Sequence, residues 1–344
     1  MGKEQKGFLT SAGNLGIESR TYDRLYWNWE GDPVVNIQTL IDSFRQLSMR
    51  GEMEGKTRVV FRGLVDEQTV TSLFEERNPL TKYIEVAMPL IDNAGLWLLM
   101  LAKNSPKRRS IVPVETMVKS TLLYNKDQQS ISGRMQGILE KGYSLKDAFD
   151  EQLMSQVYEL WGETFGWTFD QVTNLSTMLA QQQELAPSER SVWFSGVDHN
   201  SLLVSIATAE RLRLKTQNGY LDIVESTEWR TREGFENRGL LTTAIAYLNA
   251  QIFHVLPDPL VVSECNFQSR SDRPAHGAGF VIPRREVGEI TVPQILVQNV
   301  SVKDGYEPTG LRDFTFMYVS QNVRERLYAK DEIFRIMDLA KKSV

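Results

Sequence analysis

The sequence predicts a mixed α/β protein in which amphipathic helices alternate with short strands. Apolar residues recur at spacings of three and four from Asn36 to Arg50, which is the pattern of a helix with one buried face. Runs rich in β-branched and aromatic residues, bounded by turn residues, indicate strands between the helices. At 344 residues the chain has the length of about two domains.

Composition and charge exclude several classes of protein. The 41% hydrophobic and 24% charged residues are typical of a globular chain, and a net charge of −5 disfavours nucleic acid as a partner. The one concentrated basic patch, Lys103 with Lys107–Arg109, is typical of a solvated turn. With a single cysteine, Cys265, and three widely spaced histidines, the chain is expected to hold no disulfide and no structural metal.

The N-terminal half is predicted to be an α/β domain without a recognisable catalytic motif. After the helix at Asn36–Arg50, a second helix is expected to begin at Asp66 as N-cap. Strands are predicted at Thr57–Gly63, Tyr83–Met88, Leu96–Leu101 and Met117–Tyr124.

The domain boundaries follow from changes in composition. Residues 1–20 are expected to be a disordered lead-in, 21–125 the N-terminal domain, 126–150 a polar, glycine-containing linker, and 151–344 a second domain. The most apolar run, Val86–Ala102, is interrupted by Pro89 and Asp92, so we expect core and no membrane contact. Because the N-terminus lacks a signal-peptide pattern, a cytoplasmic location is expected.

The C-terminal half has a distinctive order of predicted elements. Two helices precede a hairpin, Ser191–Leu214, and a long strand begins at Tyr220 and ends near Thr231. A loop then enters a helix with the apolar stripe Leu241 to Leu256, followed by a strand at Leu260–Cys265 and a short helix before Gly277. Strands from Phe280, at Ile295–Val302 and at Phe314–Val319 complete the predicted sheet.

This order, with three local stretches, resembles the GNAT acyltransferase superfamily. The stretches are Leu160–Trp167, Asp222–Ala244 and Ser263–Phe280. The resemblance implies a mixed, mostly antiparallel sheet flanked by helices, and a site for acyl-CoA between the long strand and the helix that follows it.

The loop before that helix is the expected site for the pyrophosphate of acyl-CoA. Free N–H groups at the start of a helix carry partial positive charge and bind phosphate. Of the family's loop pattern only Gly239 matches, because Glu236 and Leu241 replace a cation or amide and a small residue. These departures predict weaker or altered pyrophosphate binding. The expected contacts to acyl-CoA are Arg232, Arg238, Gly239, Leu240, Leu241, Thr242, Asn266 and Arg270.

The long strand carries two candidate general bases. If its alternation is regular, Glu225 shares a face with Ile223 and Trp229, and desolvation there would favour proton uptake from an ammonium substrate. The family's strand commonly carries a bulge at this place, which would favour Glu228 instead.

The proton donor of the family is missing from its usual position. The tyrosine that commonly protonates the leaving thiolate is replaced by Ala275, and the adjacent His276 is the nearby residue able to donate a proton near neutral pH. His276 is therefore the candidate general acid, with a structural role as the alternative.

The resemblance implies transfer of an acetyl or other acyl group from acyl-CoA to a primary amine by direct attack, with no metal. A GNAT-fold binding or assembly module without transfer activity is the first alternative. The second is a donor carried by an acyl carrier protein, which would dock on Arg230, Arg232 and Arg238. A homodimer remains open, and so does the role of the N-terminal half, which is either a degenerate copy of the same fold or a substrate-binding domain.

Overall fold

Two six-stranded sheets form the frame of the molecule in the computed structural model. The structure describes residues 8–9, 15–21, 24–75, 78–90, 95–104, 130–147, 151–165, 177, 181–216, 219–266, 271–281, 284–287, 290–293 and 314–343. The strands are β1 Phe8–Leu9, β2 Leu15–Thr21, β3 Arg24–Trp29, β4 Arg58–Asp66, β5 Ile84–Pro89, β6 Leu96–Asn104, β7 Tyr143–Lys146, β8 Val192–His199, β9 Leu202–Thr216, β10 Gly219–Thr231, β11 Leu260–Asn266, β12 Arg284–Val287, β13 Ile290–Pro293 and β14 Phe314–Tyr318.

Helices cover both sheets. They are α1 Ile37–Met53, α2 Glu67–Leu73, α3 Ile131–Leu139, α4 Glu151–Phe165, α5 Leu240–Val255, α6 Asp272–Gly277, α7 Gln321–Leu327 and α8 Lys330–Lys342. Helix α5 is buried along nearly its whole length, because it packs between the C-terminal sheet and the helices α3 and α8.

The C-terminal sheet has the strand order β14-β11-β10-β9-β8-β7 and is antiparallel except for one pair. That pair is β10 with β11, which run parallel because α5 connects them as a crossover. Helices α3, α5, α6 and α8 lie on one face, where they share a core with Val224. Helix α4 packs on the opposite face through Val157 and Trp161. The mixed, mostly antiparallel fold predicted from the sequence is thereby confirmed.

The N-terminal half repeats this topology. Its sheet has the order β1-β2-β3-β4-β6-β5, in which β1, β2 and β3 are antiparallel and α1 connects β3 to the parallel strand β4. A short helix, α2, follows β4, as α6 follows β11, and β6 then pairs antiparallel with β4, as β14 does with β11. Of the two interpretations left open above, this repetition favours a degenerate copy of the same fold.

Several predicted elements appear at the expected places. Asn36 caps α1 by accepting hydrogen bonds from two backbone N–H groups, and Asp66 caps α2 by accepting one from the N–H of Thr69. The hairpin β8–β9, the long strand β10 and helix α5 also match. The strands expected at Met117–Tyr124 and Ile295–Val302 lie outside the described residues.

Other expectations need correction. The expected linker, residues 126–150, contains α3 and β7, and β7 pairs with β8 as an edge strand of the C-terminal sheet. Part of the expected lead-in, residues 1–20, forms β1 and most of β2. Phe280 begins no strand, since its neighbour Val281 makes only an isolated bridge to Tyr318. The helices α7 and α8 were not predicted.

None of the helices within the described ranges is long and apolar enough to cross a membrane. Across those same ranges, the side chains of His, Cys, Asp and Glu form no group of three or more that could hold a metal ion.

An ion pair between neighbouring strands supports the β9–β10 hairpin. Both oxygens of Asp222 accept hydrogen bonds from Arg211, at 2.7 and 2.6 Å, and Oδ1 also accepts one from Arg213 at 3.1 Å. Burial acts to raise the pKa of Asp222, but the bonds from Arg211 outweigh burial and hold the pKa below its usual value.

Because this pKa is lower in the folded state, the pair stabilises the fold at neutral pH, and that stabilisation is lost as the pH falls. We expect Asp222→Asn to reduce the free energy of unfolding by about 1–2 kcal/mol at pH 7. Urea unfolding of both proteins from pH 7 to pH 3 measures this, and the difference should shrink below about pH 4. A difference that is independent of pH would contradict this account.

Candidate active site

A wedge-shaped opening in the C-terminal sheet is the principal feature of the candidate site. The parallel pairing of β10 with β11 ends at Glu225 and Val262. Beyond these residues β10 continues to Thr231 along β9, while β11 continues to Asn266 along β14. The two strands therefore stop pairing with each other after Glu225 and Val262, and the sheet opens there into a wedge.

A β-bulge lies on the β10 side of this wedge. The register against β9 shifts between Thr227 and Arg230, and Glu228 inside the bulge has a φ of 54°. A bulky residue in this left-handed region is strained and is held by its surroundings. Here the Nε1–H of Trp161, which is fully buried on α4, donates to the carbonyl of Glu228 at 3.1 Å.

The bulge changes which side chains share a face. Glu225 lies on the face that meets the N-terminal sheet, whereas Trp229 packs on the opposite face with the α5 and α6 cluster. The regular alternation that placed Glu225 and Trp229 together is thus wrong, and the bulge anticipated as the alternative is present.

The loop between β10 and α5 ends in an open helix N-terminus. Gly239 occupies the N-cap position with a φ of 78°, and no side chain caps the helix. A side-chain carbon added at Gly239 would meet nothing within 4 Å, so the glycine is required by its φ and not by crowding. No side chain caps the first N–H groups of α5, and Gly239 before them is exposed. Such a helix end suits an anion such as a phosphate.

The side chains of the three residues after Gly239 pack against the protein. Leu240 is 1% exposed and Leu241 is half-buried against the same core, so neither side chain is available to a polar ligand. Thr242 packs against Gly277 of α6, where an added side-chain carbon would come within 2.7 Å of the threonine methyl.

Both candidate arginines of the loop bind to the protein itself. Arg238 donates to the carbonyl of Gly234 at 2.8 Å and to the hydroxyl of Tyr143 at 3.2 Å. Arg232 donates to the carbonyl of Leu203 at 3.2 Å and pairs with the carboxylate of Glu159 at 3.1 Å. These arginines therefore shape the loop and strand end, and the positive charge of Arg232 is partly balanced by Glu159.

Glu225 is engaged by the N-terminal half. Arg62 of β4 donates to both of its oxygens, at 2.5 and 3.1 Å, and also lies 3.6 Å from Glu264 of β11. Glu264 accepts hydrogen bonds from Arg58 at 3.2 Å and from the hydroxyl of Tyr26 at 3.1 Å. Because Arg62 engages both oxygens of Glu225, this geometry favours a structural role for Glu225.

Opposing effects act on the buried guanidinium groups. Burial acts to lower the pKa of Arg62, but Glu225 and Glu264 outweigh it and raise the pKa above its ordinary value. The pKa of Arg58 is likewise raised, because Glu264 and Glu85 outweigh the effect of its burial. Both arginines therefore remain charged within the interface.

Three further predicted residues, Asn266, Ala275 and His276, belong to β11 and α6. Ala275 is fully buried, and the Nδ1 of His276 lies 3.0 Å from the carbonyl oxygen of Phe280. Because a carbonyl oxygen only accepts, Nδ1 is the donor of this bond. The bond joins the ring of His276 to Phe280, just beyond the end of α6, which fits the structural role given above as the alternative. Asn266 ends β11, and Arg270 lies outside the described residues.

The N-terminal half lacks a comparable wedge. Val34, in the segment between β3 and α1, bridges to Val65 of β4, and its N–H donates to the carbonyl of Leu64 at 2.8 Å. The side chain of Asn36 accepts hydrogen bonds from two of the first N–H groups of α1. The position that corresponds to the wedge is thus closed by backbone pairing, and the position that corresponds to Gly239 is capped.

Three residues at the site were not predicted to belong to it: Trp161, which holds the bulge, Phe280, which contacts Trp229, and Arg62, which pairs with Glu225. A signal for Arg62 existed, since it lies four residues after Arg58 on one face of an otherwise apolar strand, and charges placed so must find partners.

No family model matches the sequence, and no curated protein matches it. Solved structures do resemble its fold. A putative acetyltransferase from Salmonella typhimurium, determined with acetyl-CoA, is 16% identical over 52% of this chain and 95% of its own, with a TM-score of 0.35. A Trypanosoma brucei acetyltransferase is 14% identical over 42% of this chain and 97% of its own, with a TM-score of 0.33. A putative GNAT-family acetyltransferase from Desulfovibrio desulfuricans is 10% identical over 52% of this chain and 98% of its own, with a TM-score of 0.35.

Many of the matching structures are GNAT-family N-acetyltransferases. These three structures match between 42% and 52% of this chain.

Proposed function

We propose that this protein is an N-acyltransferase that moves a short acyl group from acyl-CoA to a primary amine. The observation that carries the proposal is that the chain has both a wedge after Glu225 and an uncapped N-terminus of α5, with Gly239 at the N-cap position. The wedge offers a slot with backbone hydrogen-bonding edges, and the helix end offers an anion site at its mouth.

In this proposal the N–H groups around Gly239 hold the pyrophosphate, and the acyl thioester lies between the parted strands. The amine nitrogen of the acceptor attacks the thioester carbonyl carbon, so that a C–N bond forms and the C–S bond breaks. The nitrogen loses a proton to a carboxylate, and CoA leaves as a thiolate that takes up a proton. A backbone N–H of the β10 bulge would donate to the carbonyl oxygen as negative charge develops there.

Glu228 is the carboxylate that we assign as general base. Its backbone lies in a strained bulge held by Trp161, whereas Glu225 lies in the regular part of β10 before the bulge. Glu225 is in turn assigned to hold Arg62. We assign no side-chain acid to the departing thiolate, because the Nδ1 of His276 is hydrogen-bonded to the carbonyl of Phe280 and a thiolate leaves readily.

A second candidate is a GNAT-fold module that binds without catalysis. It is favoured by the buried Ala275 at the place of the expected proton donor and by the binding of both loop arginines to protein groups. A carrier-protein donor is less favoured because both arginines already have partners: Arg232 pairs with Glu159, and Arg238 donates to the carbonyl of Gly234 and the hydroxyl of Tyr143.

Calorimetric titration with acetyl-CoA and with free CoA tests the shared first step. Binding near micromolar strength, about −8 kcal/mol, would support both acyl-CoA candidates, and release of CoA thiol on adding a panel of primary amines would select the enzyme. Absence of heat and of thermal stabilisation at millimolar ligand would overturn the proposal.

Substitution of the two glutamates separates their roles. We expect Glu228→Gln to lower kcat/KM by about 10²–10⁴-fold at neutral pH, and by less at high pH, where the acceptor amine is already unprotonated. Glu225→Gln is the matched control, because it removes the same charge from a residue three positions earlier on the same strand. It should lower the melting temperature, because Arg62 loses its partner, and should leave the shape of the pH–rate profile unchanged.

The assay is initial-rate kinetics from pH 6 to pH 10 on both variants, each checked for folding by circular dichroism. An unaltered profile for Glu228→Gln, together with a shifted one for Glu225→Gln, would reverse the assignment.

A further inference from the structure

An aromatic contact spans the wedge near its narrow end. The indole of Trp229 on β10 meets the ring of Phe280, which follows α6, with centroids 5.8 Å apart and an interplanar angle of 67°. Since β10 forms one side of the wedge and α6 packs on the strand that forms the other, this contact closes the wedge on the helical face of the sheet.

Both rings are held in place by hydrogen bonds nearby. The Nε1–H of Trp229 donates to the hydroxyl of Ser226 at 2.9 Å, and Ser226 is the first residue of β10 beyond the paired region. Phe280 is fully buried, and its backbone N–H donates to the carbonyl of Ala275 at 3.0 Å. The indole therefore lies directly over the point where the strands part.

The opposite face of the same point is closed by charge. Arg62, Glu225 and Glu264 meet there, and the space left beside them and Ser263 is a cavity of about 10 Å³, which is room for about one water molecule. The narrow end of the wedge thus has an aromatic wall on one face and, on the other, an ion-paired wall with little free volume beside it.

We propose that Trp229 limits the acyl group of the donor to about two or three carbons. This inference rests on the proposed function, because it concerns the end of the wedge where the acyl group would lie. Each further methylene would have to displace the indole from Ser226 and Phe280, since the ion pair on the other face cannot yield space without leaving charges unpaired. Trp229 is a specificity-determining residue in this view.

Titration calorimetry with free CoA, acetyl-CoA and hexanoyl-CoA tests the inference on the full chain. The wild type should bind acetyl-CoA at least tenfold more tightly than hexanoyl-CoA. Trp229→Ala should reduce that ratio to about one or below, because removal of the indole opens the wall. The matched control is Trp97→Ala, which removes a half-buried tryptophan of the N-terminal half and should leave the ratio unchanged.

Trp229→Leu, which retains more of the packing, serves in place of the alanine variant if the latter does not fold. Failure of all three ligands to bind the wild type would overturn this inference and the proposed function together. Equal binding of the two thioesters by the wild type, with the same ratio in the Trp229 variant, would overturn the chain-length limit alone and leave acyl-CoA as the donor.

Discussion

Replacing Arg62 by leucine is expected to lower the free energy of unfolding by about 3 kcal/mol or more. The guanidinium pairs with Glu225 and lies near Glu264, and its side chain is only 10% exposed. Removal of Arg62 leaves the carboxylate of Glu225 without its guanidinium partner at the interface of the two sheets. Breaking a buried ion pair by removing one partner is strongly destabilising. Urea unfolding monitored by fluorescence and by circular dichroism measures the loss.

Two variants control this experiment. Arg335→Leu removes an arginine that is 65% exposed and pairs with Asp331 across one turn of α8, so its effect should stay within about 0.5 kcal/mol. The double variant Arg62→Leu with Glu225→Leu removes both partners and should recover much of the lost stability, since no unpaired charge then remains at that position. A single variant as stable as the wild type would show that this pair does not hold the halves together.

The interface that this experiment tests joins the halves through apolar contacts as well. Tyr26, Val60 and Leu98 of the N-terminal sheet share a cluster with Ile223 and Val262, the strand residues at the base of the wedge. The N-terminal half therefore supports the narrow end of the wedge in the folded protein. Its own corresponding position, closed by Val34, is expected to bind no acyl-CoA, so one ligand should bind per chain.

Local patterns in the sequence predicted most single elements correctly. The apolar spacing after Asn36 and the N-cap at Asp66 predicted α1 and α2, because capping and amphipathicity are properties of neighbouring residues. Helix α8 carries signals of the same local kind, with acidic residues in its first turn and lysines in its last. It was nevertheless not predicted.

The candidate site was harder to predict, since it depends on contacts between distant parts of the chain. Arg62 and Glu225 are 163 residues apart, and no local pattern relates them. Strand alternation placed Trp229 beside Glu225, but one bulge residue moved it to the other face, where it meets Phe280. Gly239 was found because the family's loop pattern is local, and the structure shows that its glycine adopts a positive φ.

Substitution of Gly239 by valine is expected to weaken the binding of acetyl-CoA at least tenfold. Valine disfavours the φ of 78° that Gly239 adopts, so the first turn of α5 would rearrange and its N–H groups would no longer converge on the open position before Leu240. The affinity, measured by titration calorimetry, and the shift in melting temperature caused by acetyl-CoA should both fall.

Gly55→Val is the matched control, because Gly55 has a φ of 67°, also with nothing within 4 Å of an added side-chain carbon, and follows α1 in the other half. Both variants carry the same kind of backbone strain and should lose similar stability, about 1–2 kcal/mol. If strain alone governed ligand binding, the two would lose affinity equally. Loss confined to Gly239→Val would instead assign the anion site to the start of α5, whereas full affinity in a folded Gly239→Val protein would exclude that site.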